Sequence, residues 1–461
     1  MPIPPFQIVL ISTYELGRQP FGLASPAAWL QEAGFTVTCA DCAVEPFPAE
    51  AVRRADAVAF YVPMHTATRL AVGMIERVKA LNPQAHLCFY GLYAPVNASY
   101  LRRLGAQSIL GGEFESGLVQ LCQRLRGEQQ GRAGHPQEAP QISLTRQSFR
   151  VPQRGQLPPL SRYAQMHLGN GTTRITGYVE ATRGCKHTCR HCPIVPVYNG
   201  RFRVVQKEVV LADIRQQVEM GAQHITFGDP DFLNGPGHVL PIVNALHREF
   251  PEVTYDVTIK IEHLLKYQKH LPRLRDTGCL LVTSAVEAVD DTILKIFDKG
   301  HTRSDFIRAV RLLDEVGLAL NPTFVAFNPW ITLEGYRDLL QTVAELDLIG
   351  NISPVQYAIR LLIPEGSRLL ELPETRKVLG QFNEAQLSYE WRHPDPRVDA
   401  LQPQVFELVN AANSQAVGRE AIFEKIWSRV NELSGSATPP PRPRSLLSRS
   451  EIPYLNEPWY C

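Results

Sequence analysis

The sequence predicts an α/β protein made of two parallel-sheet units in tandem, a doubly wound open sheet followed by a partial or complete (β/α) barrel, with a helical C-terminal extension. Three observations predict it. Short apolar runs alternate with helix-period patterns along most of the chain; residues 127–140, rich in Gly, Gln and Pro, interrupt that alternation once; and 461 residues exceed what one ordinary core organises.

In the first unit, residues 7–12, 36–40, 57–62, 86–91 and 108–110 read as strands, being short runs dominated by apolar residues. Helical patterns at 25–33, 66–81, 97–104 and 114–126 lie between them. A sheet wound in this way opens its ligand crevice at the carboxyl ends of its strands, so residues 13–17, 61–65 and 91–95 are expected to border one cleft. The first domain is expected over 1–127 and a linker over 128–170.

The second alternation places strands near 178–181, 223–227, 254–260, 279–285, 319–327 and 353–361, with helices at 207–220, 239–249, 262–276, 302–316 and 333–346. Six βα units over 171–372 suit a parallel barrel, whose chemistry sits at the C-terminal ends of its strands. Residues 373–434 turn helical, notably at 404–417 and 419–433. The proline run 439–443 then reads as a tether for a tail spanning 435–461.

Lys and Arg number 47 against 46 Asp and Glu, a balance that leaves no basic footprint for nucleic acid or an anionic membrane surface. The N-terminus lacks a signal-peptide pattern, and no apolar run approaches the roughly 20 residues of a membrane span. A soluble, cytoplasmic protein acting on a small molecule is expected. Of the 9 cysteines, three crowd into positions 185–192, a spacing that suits a metal or redox site better than a disulfide framework.

Those three are Cys185, Cys189 and Cys192, immediately after the first barrel strand. Three thiolates can ligate three irons of a cubane and leave the fourth open. A zinc tetrahedron completed by His187 or His191 is the alternative. With three and then two intervening residues on the loop after strand one, the segment resembles the signature of the radical S-adenosylmethionine (SAM) superfamily. The resemblance implies a 4Fe–4S cluster on Cys185, Cys189 and Cys192, SAM chelated by the open iron, and a flavodoxin- or ferredoxin-type electron donor. His191 stands where that family usually has an aromatic residue near the adenine.

By the same resemblance, Gly228, Asp229 and Asp231 after the second strand fall where the family contacts the methionine amino group; the plainer reading is a turn and helix cap. Glu287 matches the family's strand-four glutamate, before a Lys299-Gly300-His301-Thr302 turn, against a capping role. Arg360 is expected either to bind a carboxylate in the barrel mouth or to form a structural ion pair. The first domain resembles the cobalamin-binding domain of class B radical methylases, implying crevice positions at Gly17, His65, Gly91, Gly111 and Gly112. Its Asp-x-His-x-x-Gly motif is absent, and the sequence leaves bound cobalamin open. Cys39 and Cys42 are only superficially a redox pair, since they follow a strand instead of opening a helix.

These readings converge on a radical enzyme modifying a small molecule, by methyl transfer if cobalamin is bound. The alternatives are hydrogen abstraction, transfer of another SAM-derived fragment, for example to arsenic or selenium, and a noncatalytic corrinoid or iron–sulfur sensor. The tail ending in Cys461 resembles that of a radical SAM group named for a terminal Cys-Cys-Ala-Glu-Pro or Cys-selenocysteine-Ala-Glu-Pro. That resemblance implies a redox role for Cys461 and a selenocysteine codon read as a stop; the plainer reading is a genuine end with one exposed cysteine.

Overall fold

Two sheets organise the chain. The computed structural model describes residues 5–129, 141–169, 171–414, 417–435, 438–441 and 452–456. The first sheet is wholly parallel and contains β1 (Gln7–Ser12), β2 (Thr36–Asp41), β3 (Ala57–Tyr61), β4 (His86–Tyr90), β5 (Ser108–Gly112) and β6 (Ile142–Ser143), in the order β2-β1-β3-β4-β5-β6. Its central strands are mostly apolar because both faces are covered. Ile8, Leu10, Tyr61 and Tyr90 pack on one side, and Val9, Ile11, Phe60 and Phe89 on the other.

Local chemistry moves several helices from their expected bounds. The first begins at Phe21 and contains Pro26, whose missing N–H leaves the Gly22 carbonyl free; the Tyr90 hydroxyl donates to it at 2.8 Å. The helix expected over 66–81 divides at Gly73 and Met74 into His65–Val72 and Ile75–Leu81.

The second sheet runs β14-β13-β12-β11-β8-β7-β17. Here β7 is Gln165–His167, β8 Thr173–Val179, β11 His224–Phe227, β12 Thr254–Thr258, β13 Cys279–Glu287, β14 Ala319–Phe324 and β17 Tyr454–Leu455. A short antiparallel ribbon of β9 (Thr182–Gly184) and β10 (Phe202–Val204) flanks it, and β15 (Leu379–Asn383) pairs with β16 (Ser388–Trp391) in a hairpin. Five strands, β8 and β11 to β14, are parallel, and β7 pairs antiparallel with both β8 and β17. The result is a partial barrel. In place of the strand expected at 353–361 there is a 3₁₀ turn, Pro354–Tyr357, and a single parallel bridge from Phe327 to Arg360. Pro354 has no N–H for a ladder, and the Gln356 side chain accepts instead from the Phe324 N–H at 3.0 Å. The helix expected at 262–276 breaks into Ile261–Lys266, a turn at Gln268–His270, and Leu271–Asp276, where Pro272 sits in the first turn.

Residues 141–169 bind the two sheets together, contributing β6 to one and β7 to the other. Within them Arg154 is fully buried, paired with Asp213 at 2.6 and 2.8 Å and hydrogen-bonded to Gln19 Oε1 and the Tyr178 carbonyl. Helices Pro396–Ser414 and Arg419–Ser434 form the extension. Among the described residues no helix is long and apolar enough to cross a membrane. Cys461 lies outside the described residues.

Candidate active site at the barrel mouth

The cysteine loop follows β9 and is anchored on both sides. Gly184 has φ +74, and a Cβ there would meet the Tyr198 ring at 2.4 Å and the Arg201 carbonyl at 2.6 Å, so only glycine can begin the loop. Asp229, just beyond β11, accepts from the Ala181 N–H at 3.0 Å and from the Thr182 hydroxyl. Burial pushes its carboxyl up to about 7 against those hydrogen bonds. It clamps the strand leading into the loop. On the far side, the Arg190 N–H and guanidinium donate to the carbonyls of Phe297, Ile296 and Lys295.

Cys185 and Cys189 are buried and Cys192 partly so. Cys185 Sγ lies 4.0 Å from Asn234 Oδ1, and Lys260 Nζ lies 3.8 Å from Cys189 Sγ. Burial raises the Cys185 thiol and pushes Cys192 up to about 12, so a cation bound by the loop would have to displace their protons. The remaining described cysteines lie elsewhere; Cys279 opens β13, at the opposite end of that strand from Glu287. Burial pushes both Cys39 and Cys42 up to about 12, the character of inert thiols.

Glu287 ends β13 at a bulge, in the left-handed region with φ 70. Its carboxylate accepts from His191 Nε2 at 3.0 Å and from Lys299 Nζ at 3.4 Å. Burial would raise this acid, but Lys299 and then His191 outweigh it and hold the carboxyl at about 2. The His191 ring leans on Phe297 with centroids 4.6 Å apart. Asp231 meets His263 Nδ1 at 2.6 Å and His187 Nε2 at 3.6 Å, and these two imidazoles hold it at about 2 despite its burial.

Cys185, His187 and Asp231 lie close enough to admit a cation. The other ring nitrogen of His187 faces Glu262 at 3.6 Å, however, so both its nitrogens are directed at carboxylates. With His191 held by Glu287, neither histidine is presented to complete a zinc tetrahedron with all three thiols. The donor set fits a cluster with three protein ligands.

Two further groups gather here: Lys260, which sequence reasoning did not single out, and His301 of the turn that follows Glu287. Lys260, just past β12, has its Cys189 partner 71 residues away, so no local spacing reveals it. His301 is buried, with both ring nitrogens unpartnered among the described residues; burial, then the charges of Lys299 and Lys260, push it down to about 4. For Lys260 the available signal is a polar side chain just beyond a strand at the barrel's carboxyl edge. Arg360 is held by Asp399 at 3.1 Å, by the Trp391 carbonyl at 2.8 Å and over the Trp391 ring at 3.5 Å, which is the ion-pair alternative.

Of the crevice positions expected in the first domain, some border open space and others are packed by the chain itself. The space between its first helix and the strand ends is filled by Tyr61, Tyr90 and Phe114, whose ring centroids lie 5.0 to 5.9 Å apart. A Cβ at Gly91 would stand 3.0 Å from the Val62 carbonyl, at Gly111 2.5 Å from Pro95, and at Gly112 2.2 Å from the Ser143 carbonyl. These glycines admit the chain itself. His65 contacts the Gln386 carbonyl and the edge of Tyr93. Gly17 borders a cavity of about 900 Å³ whose lining includes no histidine and no residue of the cysteine loop.

Residues 179–342 match the Radical SAM superfamily, and the chain therefore carries a radical SAM domain. An N-terminal doubly wound sheet precedes that domain. The chain's fold is similar to the cobalamin-dependent SAM radical enzyme OxsB with aqua-cobalamin and SAM bound, at a TM-score of 0.70 and 14% identity over 92% of this chain and 70% of that one. It is also similar to the methyltransferase TsrM of Kitasatospora setae with tryptophan and a SAM analogue, at a TM-score of 0.66 and 16% identity over 87% and 88%. In sequence it is 25% identical to the hopanoid C-3 methylase of Methylococcus capsulatus over 73% of this chain and 66% of that protein. It is 27% identical to the ribosomal protein uS12 methylthiotransferase RimO of Geobacter sulfurreducens over 39% and 43%. The chain thus spans less than two thirds of these curated relatives' lengths.

Proposed function

We propose that this protein is a radical SAM enzyme that cleaves SAM reductively and modifies a small molecule, with Cys185, Cys189 and Cys192 as the ligands of a 4Fe–4S cluster. The observation that carries this reading is the three-cysteine loop at the carboxyl edge of a parallel barrel, with a pre-ionised Glu287 beside it. When bound, the cluster supplies one electron and an open coordination site to SAM, whose carbon–sulfur bond cleaves to an alkyl radical. The chain's own residues do the positioning. Asp229 fixes the strand entering the loop, and Lys260 places a positive charge beside Cys189. Glu287 stays ionised between Lys299 and His191, ready to accept from an ammonium or a ribose hydroxyl.

The names of the relatives support a methylating reaction, but the filled crevice gives no support to methyl transfer through a corrin. Reduced, cluster-reconstituted protein, supplied with a flavodoxin- or ferredoxin-type donor or a chemical reductant, is expected to form 5′-deoxyadenosine or methylthioadenosine from SAM without added corrin. Neither product above background would leave a noncatalytic sensor as the better reading.

A further inference from the structure

Outside the cysteine loop, a dense group of buried charge lies where the first domain meets the barrel. Arg183 reaches across to Glu115 at 2.6 and 3.0 Å and Glu113 at 3.3 Å, and takes Glu180 of its own segment at 2.7 Å. One guanidinium therefore faces three carboxylates. Beside it lies a cavity of about 180 Å³ bordered by Glu15, Arg18, Glu180 and Arg183, with Gly184 and Gly228 on the wall next to the cysteine loop. Glu15 is 6% exposed, and its Oε2 has no hydrogen-bond partner among the described residues.

Glu15, Glu113, Glu115 and Glu180 bring four carboxylates to a place that Arg18 and Arg183 supply with two guanidiniums. Buried anionic excess is unfavourable unless a proton or a cation meets it. The rings of Tyr61, Phe114 and Tyr178 line the same walls and suit an alkylammonium. The volume falls below the roughly 300 Å³ at which pockets for drug-sized ligands begin. A small ligand, or one arm of a larger one, is the size that fits.

We propose that this interdomain chamber binds the protonated amine of a small ligand, with Glu15 and Glu180 as its acceptors. That the ligand is the substrate rests on the radical SAM reading above, since Gly184 and Gly228 place the chamber against the cysteine loop. Glu15 is faced by Glu180, Asp41, Arg18 and Arg154, with the hydroxyls of Tyr61 and Tyr178 nearby. Burial, then the neighbouring acids, push its carboxyl well above the ordinary range. An arriving ammonium therefore forms its pair with Glu15 as the carboxyl proton leaves to solvent.

The test is calorimetric titration of the full chain with ethylammonium chloride, repeated in buffers of different ionisation enthalpy, with ethanol and potassium chloride as neutral and bare-cation controls. Ethylammonium is expected to bind with proton release while both controls give no heat. Glu15→Gln should weaken binding about tenfold or more and keep the reconstituted cluster's absorbance; if that variant does not fold, Glu180→Gln is read in the same way. Absence of ethylammonium binding, equal binding by the folded variant, or equal binding of potassium would overturn the proposal. The titration needs no turnover, so binding without SAM cleavage removes the enzyme reading alone, and cleavage without binding removes the chamber alone.

Discussion

Glu287 carries the most constrained backbone in the site, a left-handed φ of 70 at a carboxylate that joins Lys299 to His191. Such a conformation persists only where the surroundings enforce it. Glu287→Gln keeps the shape and removes the charge; it is expected to load iron normally but to bind SAM about tenfold more weakly, as read by equilibrium binding. Unchanged affinity would reduce Glu287 to a structural cap. The same charges set an acid limit. Asp231 and Glu287 are both held at about 2, below their ordinary values of 3.8 and 4.5. Their stabilisation is thus present above about pH 4.5 and lost as pH falls toward 2, about 2–3 kcal/mol for each. Melting the cluster-free chain between pH 5 and 2.5 should show this fall, flattened in Asp231→Asn; parallel curves would contradict it. At this scale the cysteines and Glu287 were legible because their motifs are local. The surroundings of Asp231 and Lys260 were not, since they come from separate loops, and Arg360 meets Trp391 and Asp399 in a later part of the chain.

The parallel strands were readable from apolar runs because burial on both faces leaves no alternation to misread. Where backbone chemistry overrode hydrophobicity, the reading failed, as in the 3₁₀ turn at Pro354 and the break at Gly73. The pairing of β5 with β6 escaped notice for another reason, since a two-residue strand carries too little pattern. Gly112 makes that pairing testable. It has φ +70, and an added Cβ would stand 2.2 Å from the Ser143 carbonyl, so Gly112→Ala combines about 1–3 kcal/mol of backbone strain with displacement of β6. Gly127 lies in the helix Glu115–Gln129 with nothing within 4 Å of such a Cβ. Gly127→Ala should instead stabilise by about 0.5–1 kcal/mol. Opposite shifts in melting temperature are expected; similar shifts would mean that β6 does not lean on Gly112.

Across the whole molecule, two buried arginines make the first domain part of the barrel's wall. Arg154 joins Gln19 to Asp213, and Arg183 joins the loop before Cys185 to Glu113 and Glu115. This union bears on what the first domain can hold, which its sequence left open. The five-stranded pattern before the barrel and the glycines at 91, 111 and 112 suggested a corrin crevice, but neither reports what fills the space between elements. That depends on large residues at scattered positions, namely Tyr61, Tyr90 and Phe114, all buried and in mutual contact. Admitting a corrin tail would require these rings to leave the core, exposing side chains that each contribute about 1.5–3 kcal/mol by burial. It would also remove the Tyr90 hydroxyl from the Gly22 carbonyl. Protein reconstituted with iron and sulfide, incubated anaerobically with hydroxocobalamin and desalted, is therefore expected to retain no corrin absorbance and to cleave SAM at the same rate as protein never exposed to it. Stoichiometric retention, or cleavage that depends on added cobalamin, would show that the aromatic cluster opens and that the first domain is a corrin carrier after all.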